Sequence, residues 1–229
     1  MKRLTKTQQA VQEGRPLFMN KVVKPEWGQL PIKDSRNTKL GKRVTKGKDK
    51  GQIIRTLTLP ERSTCPDHCD HWGDCYGNNM RNALRYPWTP ETASNVWAQL
   101  QGYETKGRLY KLRPHILGDF VNRAHVLFWI NAVDTFRCLS LWGYTAHKPD
   151  SAIGQLVKRL NTRDNASFRF SGAYDLDSMS ALSFDHPKAQ ALLRDKRAFV
   201  CPEQTGKAES CGACAACWEG VKPVVFMTH

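Results

Sequence analysis

Two tight groups of cysteines constrain this chain more than any other feature of its sequence. Seven of the eight cysteines in 229 residues belong to these groups, and a long stretch of chain separates them. The first group is Cys65, Cys69 and Cys75, and the second is Cys201, Cys211, Cys214 and Cys217. No apolar signal segment precedes them, and clustered cysteines in an intracellular chain favour metal sites over disulfides. The spacing therefore predicts metal binding.

The second group has the more specific spacing. In CGACAACW, residues 211–218, two residues separate each cysteine from the next, and Cys201 is followed by Pro202. This resembles the C-x2-C-x2-C pattern by which ferredoxins hold an iron-sulfur cluster. A loop that winds around a cube of four irons can deliver a thiolate every third residue, while a remote cysteine closes the last corner. Structural zinc usually takes two separate pairs of ligands. The pattern favours a 4Fe–4S cluster, with zinc and uncoordinated thiols or a disulfide as alternatives.

The first group, in TCPDHCDHWGDCYG (64–77), offers three thiolates in one loop. Three thiolates hold three irons and leave the fourth open to a small-molecule thiol, a carboxylate, S-adenosylmethionine or water. An open iron distinguishes a catalyst from an electron carrier. His68 and other side chains in the loop are competing ligands, so zinc is an alternative here as well. The chain is therefore expected to hold one cluster or two.

The pattern between the two groups alternates strands with helices. Strands are predicted at 52–60, 109–119, 137–147, 166–176 and 196–202, and helices at 78–87, 91–104, 122–136 and 150–163. This order predicts parallel strands with right-handed crossovers, and four or five units do not close an eight-stranded barrel. We therefore expect an α/β fold, a partial (open) parallel β/α barrel with its cysteine-rich loops at the C-terminal rim of the strands.

Six other side chains near the predicted rim are candidates for ligand binding. They are His68, Asp119, Trp142, Tyr144, Arg169 and Ser171. The two aromatic residues either line a pocket or fill the core, and Arg169 either meets a ligand or pairs with an acid. The carboxylate at position 119 either accepts a hydrogen bond from a ligand's amino group or caps the next helix. Cys138 is expected to be a buried core thiol.

The positive charge is concentrated in the first part of the chain. Residues 1–60 contain 15 Lys and Arg against four acids, a net charge of +11, which leaves +3 of the total +14 for the rest. The pattern predicts a basic arm (1–50), poorly structured or wrapped on the core, before a barrel domain (51–229). The arm could contact nucleic acid or an acidic protein, or act only as a soluble extension. No apolar run is long enough to span a membrane, so a cytoplasmic protein without a membrane partner is expected.

Four motifs in the same order resemble the gene-product-eighty-eight-like family of bacteriophage-encoded proteins. They are TCPDHCDHWGDCYG (64–77), HILGDF (115–120), WGYT (142–145) and CPEQTGKAESCGACAACW (201–218). The resemblance implies a viral iron-sulfur protein without an assigned reaction, acting in the host cytoplasm.

A more distant likeness is to radical S-adenosylmethionine enzymes, which place three cluster cysteines after the first strand of a partial barrel. Their usual loop is C-x3-C-x2-C, whereas five residues precede Cys75 here, and Asp74 stands where they have an aromatic residue. Leu117-Gly118-Asp119 replaces their glycine-glycine-glutamate turn.

The sequence therefore predicts an iron-sulfur protein with at least one 4Fe–4S cluster and a potential open iron for a thiol or S-adenosylmethionine-like ligand. An enzyme of the radical or thiol-dependent type is one version of this function. The alternatives are a ferredoxin-like electron carrier and a nucleic-acid-binding protein with a structural metal site.

Overall fold

An eight-stranded sheet organises the computed structural model, which describes residues 4–172, 174, 176–220 and 222–227. The strands are β1 (Lys33–Asp34), β2 (Ile53–Thr56), β3 (Tyr110–Arg113), β4 (Leu139–Thr145), β5 (Ala166–Ser171), β6 (Ser180–Ser183), β7 (Phe199–Val200) and β8 (Val224–Phe226). Their spatial order is β1-β2-β3-β4-β5-β6-β8-β7, and only the β1–β2 pairing is antiparallel. The α/β class and the open, mostly parallel sheet are confirmed. A barrel-like curvature stays a prediction.

Seven α-helices lie in the described part of the chain. They are α1 (Lys6–Gln12), α2 (Pro90–Thr105), α3 (Arg123–Thr135), α4 (Ala152–Leu160), α5 (Pro187–Arg194), α6 (Cys211–Cys214) and α7 (Ala216–Glu219). The three long crossover helices, α2 to α4, begin at side-chain caps. The Thr89 hydroxyl, the side-chain Oδ1 of Asn122 and the Ser151 hydroxyl each accept a hydrogen bond from a main-chain N–H in the first turn. The predictions for these three helices are confirmed.

The two faces of the sheet carry different side chains because residues alternate along each strand. Leu112, Leu141 and Phe168 belong to the main apolar core, which also contains Val126 and Trp129 of α3. The intervening positions on the same strands carry Lys111, Arg113, Trp142, Tyr144 and Arg169. The crossover helices therefore cover one face of the sheet. The opposite face, which carries these charged and aromatic side chains, is here called the polar face, and other segments cover it.

Residues 39–52 and the C-terminal cysteine segment cover the polar face. Leu40 and Val44 pack with Trp142 and Cys217. The Ser167 hydroxyl of β5 donates to the Cys217 carbonyl at 3.3 Å. The second cysteine group is thus divided between two places. Cys201 follows β7 at the edge of the sheet, whereas Cys217 lies over the polar face at the middle of the sheet.

The N-terminal segment also contacts the rest of the chain. Ala10 and Ile32 are buried, and β1 pairs with β2. The Val23 N–H donates to the Arg85 carbonyl at 2.8 Å, next to a bridge between Val22 and Arg85. Residues 4–50 therefore form part of the folded surface around the sheet.

The predicted helix at 78–87 is wrong. A short 3₁₀ turn, Tyr76–Asn79, is followed by turns and by the bridge at Arg85. The guanidinium of Arg85 donates to the carbonyls of Met80, Ala83 and Gly77. These contacts of Arg85, together with its bridge to Val22 and its ion pair with Glu61, override the local helical propensity.

Other boundaries differ at the strand ends. The strand predicted over 109–119 ends at Arg113, since Pro114 cannot donate to a ladder and restricts the residue before it. Strands β6 and β8 and helix α5 were not predicted. Cys138 is buried directly before β4, as expected. In the described ranges, no helix is long and apolar enough to cross a membrane.

Candidate metal centres

The C-terminal loop carries its cysteines on a chain that winds from β7 through two short helices. Cys201 directly follows β7, Cys211 and Cys214 begin and end α6, and Cys217 lies in α7. Ala215 joins the two short helices in the left-handed conformation, with φ 61°, which makes the winding possible.

The four C-terminal thiols influence one another electrostatically. Burial raises the pKa of Cys211 to about 12, and the charges of Cys217 and Cys201 add to this. Burial also raises the pKa values of Cys214 and Cys217, and Cys201 raises both further. The thiols of Cys211, Cys214 and Cys217 are therefore protonated at neutral pH, and binding of a metal by their thiolates would release protons.

Arg169 holds the main chain of this loop against the polar face. Its guanidinium donates to five carbonyls, those of Cys217, Ala216, Gly220, Ser178 and Lys222. The side chain is 2 % exposed. Because all of these acceptors belong to the chain itself, Arg169 serves here to position the loop.

The N-terminal segment forms the other wall of the loop. The Cys211 N–H donates to the Lys39 carbonyl at 2.7 Å, and the Gly212 N–H donates to the Leu40 carbonyl at 3.0 Å. In return the Thr45 N–H donates to the Gly212 carbonyl at 2.9 Å. A side chain at position 212 would collide with the Arg43 carbonyl, so glycine is required for this close approach.

Several hydrogen-bond donors face this region without a protein acceptor. Among the described residues, the buried Nε of Arg113 and the buried Nε1 atoms of Trp142 and Trp218 have no hydrogen-bond partner. The guanidinium of Arg113 lies over the rings of Trp142 and Tyr144, and its charge opposes the rise in the pKa of Cys211 that burial causes. The Tyr144 hydroxyl donates to the Cys217 sulfur at 2.8 Å.

These donors fit an anionic sulfur-rich group. Thiolates and sulfides accept N–H and O–H hydrogen bonds, and such bonds tune the potential of iron-sulfur centres. Arg113, a half-buried cation with no carboxylate partner among the described residues, also offsets the negative charge that four thiolates bring. The donor set is thus compatible with the cluster that the spacing predicts.

The first cysteine group shares its surroundings with Asp119. Burial raises the pKa of Cys65 strongly, and the charges of Asp119, Cys69 and Cys75 add to this. Burial likewise raises the pKa of Cys69 to about 11, with Asp119 and Cys75 among the further causes. The three thiols therefore lie within electrostatic reach of one another, and Asp119 lies within electrostatic reach of Cys65 and Cys69.

Asp119 is held rigidly at this site. Its Oδ1 accepts from the Phe120 N–H at 2.7 Å and from the Thr145 hydroxyl at 2.9 Å, and its Oδ2 accepts from the Ala146 N–H at 2.7 Å. Burial raises the pKa of Asp119, and the neighbouring His147 opposes that rise. The carboxylate keeps a fixed orientation beside the cysteine loop.

Two arginines brace the first cysteine loop. Arg62, in the left-handed conformation with φ 63°, donates to the Trp72 carbonyl at 2.9 Å and to the Asn78 side chain at 2.8 Å. Arg85 and Glu61 form a doubly hydrogen-bonded ion pair at 2.7 and 3.0 Å, and both side chains are fully buried. The loop is therefore held from both of its ends.

The end of β4 touches both cysteine groups. Tyr144 bonds to Cys217, Thr145 and Ala146 bond to Asp119, and the Ala146 carbonyl lies 3.1 Å from Nε2 of His68 in the first loop. Three consecutive residues thus connect the two candidate centres.

The six predicted ligand-binding residues do not gather at one place. His68 and Asp119 lie at the first group, whereas Trp142, Tyr144 and Arg169 lie at the second. Ser171 is half-buried at the end of β5. Their binding of a ligand stays a prediction.

Sequence reasoning missed Arg113, Arg62, Glu61 and Arg85. For Arg113 a signal existed, because charged residues at every second position of the apolar stretch YKLR indicate a polar inner face.

All eight cysteines are free thiols. Within the described ranges, no three His, Cys, Asp or Glu side chains converge closely enough to hold a single metal ion.

The close packing of the backbone at Gly118 brings Asp119 near the first cysteine loop. A substitution at Gly118 therefore gives a testable prediction. Its φ is +77°, and an added Cβ would meet the Cβ of Leu59 at 2.7 Å and also the Thr64 hydroxyl. Gly118→Ala is expected to lower the free energy of unfolding by about 2–4 kcal/mol, combining left-handed strain with overpacking. Urea unfolding measures this. Gly107→Ala, where φ is +62° and the space is open, should cost only about 1 kcal/mol; equal losses for the two variants would contradict the steric explanation.

Comparison with known sequences supplies a family. No curated protein and no solved structure matches the chain. The gene product 88 family matches residues 31–220, most of the chain. The match includes both cysteine groups and the part of the N-terminal segment that contacts the second one. The chain therefore belongs to the gene product 88 family.

Proposed function

We propose that this protein is an iron-sulfur protein that holds a 4Fe–4S cluster at Cys201, Cys211, Cys214 and Cys217. The observation that carries the proposal is the arrangement of the C-terminal loop. Cys211, Cys214 and Cys217 each lie within electrostatic reach of Cys201, Arg169 fixes the main chain of the loop, and buried N–H donors without protein acceptors adjoin it. The C-x2-C-x2-C spacing supports a cluster over a single zinc ion.

We further propose that Cys65, Cys69 and Cys75 hold a second centre with one position open to a small molecule. Asp119 lies within electrostatic reach of two of these thiols and has a fixed orientation. Its carboxylate can accept a hydrogen bond from the amino group of a bound ligand or occupy the open position itself. When loaded, such a centre supplies one-electron chemistry or Lewis acidity to its ligand.

Iron and sulfide content after anaerobic reconstitution tests the proposal. The wild-type protein should contain about four irons and four sulfides for each loaded group. Serine at Cys211, Cys214 and Cys217 should remove about four of each and leave the first group's share in place. One zinc ion per group with no sulfide would overturn the iron-sulfur assignment, and loss of all iron from this variant would mean that the two groups share one centre.

The electron paramagnetic resonance spectrum of the reduced protein tests the open position. Added thiol or S-adenosylmethionine should change the signal of the first group, and serine at Cys65, Cys69 and Cys75 should abolish that response. Release of 5′-deoxyadenosine above the level of this variant would identify radical chemistry. An unchanged spectrum with every ligand would instead identify a fully coordinated electron carrier.

The Tyr144 hydroxyl gives a prediction for the C-terminal centre. Tyr144→Phe removes the hydrogen bond to the Cys217 sulfur. Because such a bond stabilises the more negative, reduced state, the reduction potential is expected to fall by roughly 20–60 mV. A redox titration measures this, with Tyr76→Phe, an exposed tyrosine, as the control. A potential that rises, or that does not change, would contradict the proposed contact.

A further inference from the structure

Residues 42–50 form a folded basic hairpin next to the C-terminal cysteine loop. The Val44 N–H donates to the Gln52 carbonyl at 2.9 Å, and the Gly51 N–H donates to the Val44 carbonyl at 2.8 Å. Arg43 forms an antiparallel bridge with Ile53 at the start of β2. These contacts give the hairpin a defined position.

The cationic side chains of the hairpin are exposed to solvent, whereas the carboxylate of its one acidic residue, Asp49, is buried. The exposed cations are Lys42, Arg43, Lys46, Lys48 and Lys50. Asp49 is 9 % exposed and turns inward, where it meets the ammonium of Lys111 at 2.7 Å. Glu219 lies against Gly47 and is an exposed acid beside this surface. The hairpin therefore presents a strong net positive charge.

The hairpin contacts the candidate centre directly. The Thr45 N–H donates to the carbonyl of Gly212, which lies between two cysteines. The charge of Lys46 opposes the rise in the pKa of Cys214 that burial causes, so the two side chains lie close together. Cys214 is also partly exposed. A molecule that docks on the hairpin would therefore lie beside the least enclosed edge of the C-terminal site.

We propose that the basic hairpin docks an acidic one-electron carrier protein, which exchanges an electron with the centre at Cys201, Cys211, Cys214 and Cys217. This inference rests on the proposed function. A cluster held by these four cysteines would accept one electron from the reduced cofactor of the partner, and no bond would form or break. Surface cations steer an acidic partner and fix its orientation, and electron transfer requires the two centres to be close.

A nucleic acid is the less favoured partner for this surface. Its single strands are bound by aromatic stacking as well as by charge. Every exposed position of the hairpin is a cation, threonine or glycine, and Trp27, which is 70 % exposed, lies outside it. The position of the charges over the cysteine loop favours an electron-transfer partner.

Binding of oxidised flavodoxin, an acidic flavoprotein, tests the proposal independently of cluster loading. The hairpin variant carries glutamine at Lys42, Lys46, Lys48 and Lys50, and the control variant carries it at the exposed Lys106, Arg108, Arg123 and Arg137. The hairpin variant and the control variant each lose four positive charges. At low ionic strength the hairpin variant should bind at least about tenfold more weakly than wild type, and the control less than twofold. Iron content and melting temperature check that both variants are intact.

Three outcomes would overturn the docking proposal. Equal weakening in both variants would mean that only net charge matters, and failure of the wild type to bind flavodoxin at low salt would remove the partner class. Salt-dependent binding of DNA or RNA that only the hairpin variant loses, with flavodoxin unaffected, would assign the surface to nucleic acid. If iron and sulfide are absent while the hairpin still binds flavodoxin, the cluster proposal fails and the docking surface stands.

Discussion

Arg85→Met is expected to lower the free energy of unfolding by about 3–5 kcal/mol, because it leaves the buried carboxylate of Glu61 without its partner. Both side chains of this pair are fully buried. The substitution also removes three hydrogen bonds to carbonyls in the turns that follow the first cysteine group. Urea unfolding followed by tryptophan fluorescence measures the loss.

An exposed ion pair provides the control for this prediction. Arg163 donates to Asp134 on the surface, at 3.0 and 2.9 Å, and Arg163→Met should cost less than about 1 kcal/mol. The double variant Glu61→Leu/Arg85→Met should lose less than the sum of the two single losses, because neither charge is then left alone. A loss below 1 kcal/mol for Arg85→Met would show that the pair does not brace the loop.

Arg169→Met is expected to reduce the iron bound by the C-terminal group from about four atoms to fewer than one per chain. Five carbonyls lose their donor, three of them between Ala216 and Gly220. Each hydrogen bond to a charged donor contributes about 1.5–3 kcal/mol, so α7 should detach from the polar face of the sheet. Iron analysis and circular dichroism together measure the effect.

The sheet itself should survive this substitution, since the apolar core on its other face is not touched. Arg194→Met, at an exposed position at the end of α5, is the control and should keep its iron. Full iron content in Arg169→Met would show that the cysteines position themselves without this anchor.

The crossover units were predictable because their signals are local. Helix α3 shows an apolar stripe at helical spacing after Asn122, and strands β4 and β5 carry aromatic residues in short runs. Strands β6 and β8, which were not predicted, have four and three residues, too short for a periodic signal. Their pairing order, with β8 between β6 and β7, depends on contacts distant in sequence.

The candidate centres were predictable only in part, for the same reason. The cysteines of each group could be predicted as ligands because their spacing lies within short motifs. Asp119 could be predicted as a candidate because it follows a recognisable turn. By contrast, nothing in the sequence distinguishes Arg169 from an ordinary strand residue, because the carbonyls that accept its hydrogen bonds lie up to 53 residues away. The high charge of the N-terminal residues predicts a solvated arm. In the structure, Leu40 and Val44 of this segment instead pack against Trp142 and Cys217 of the second candidate centre.

The most direct test of the central proposal is the Mössbauer spectrum of a variant with serine at Cys65, Cys69 and Cys75, reconstituted with ⁵⁷Fe. The C-terminal group alone should then hold about four irons in one sulfur-coordinated cluster, with an equal amount of sulfide. A spectrum of isolated single irons, or a protein that holds no iron after this substitution, would contradict a cluster at Cys201, Cys211, Cys214 and Cys217.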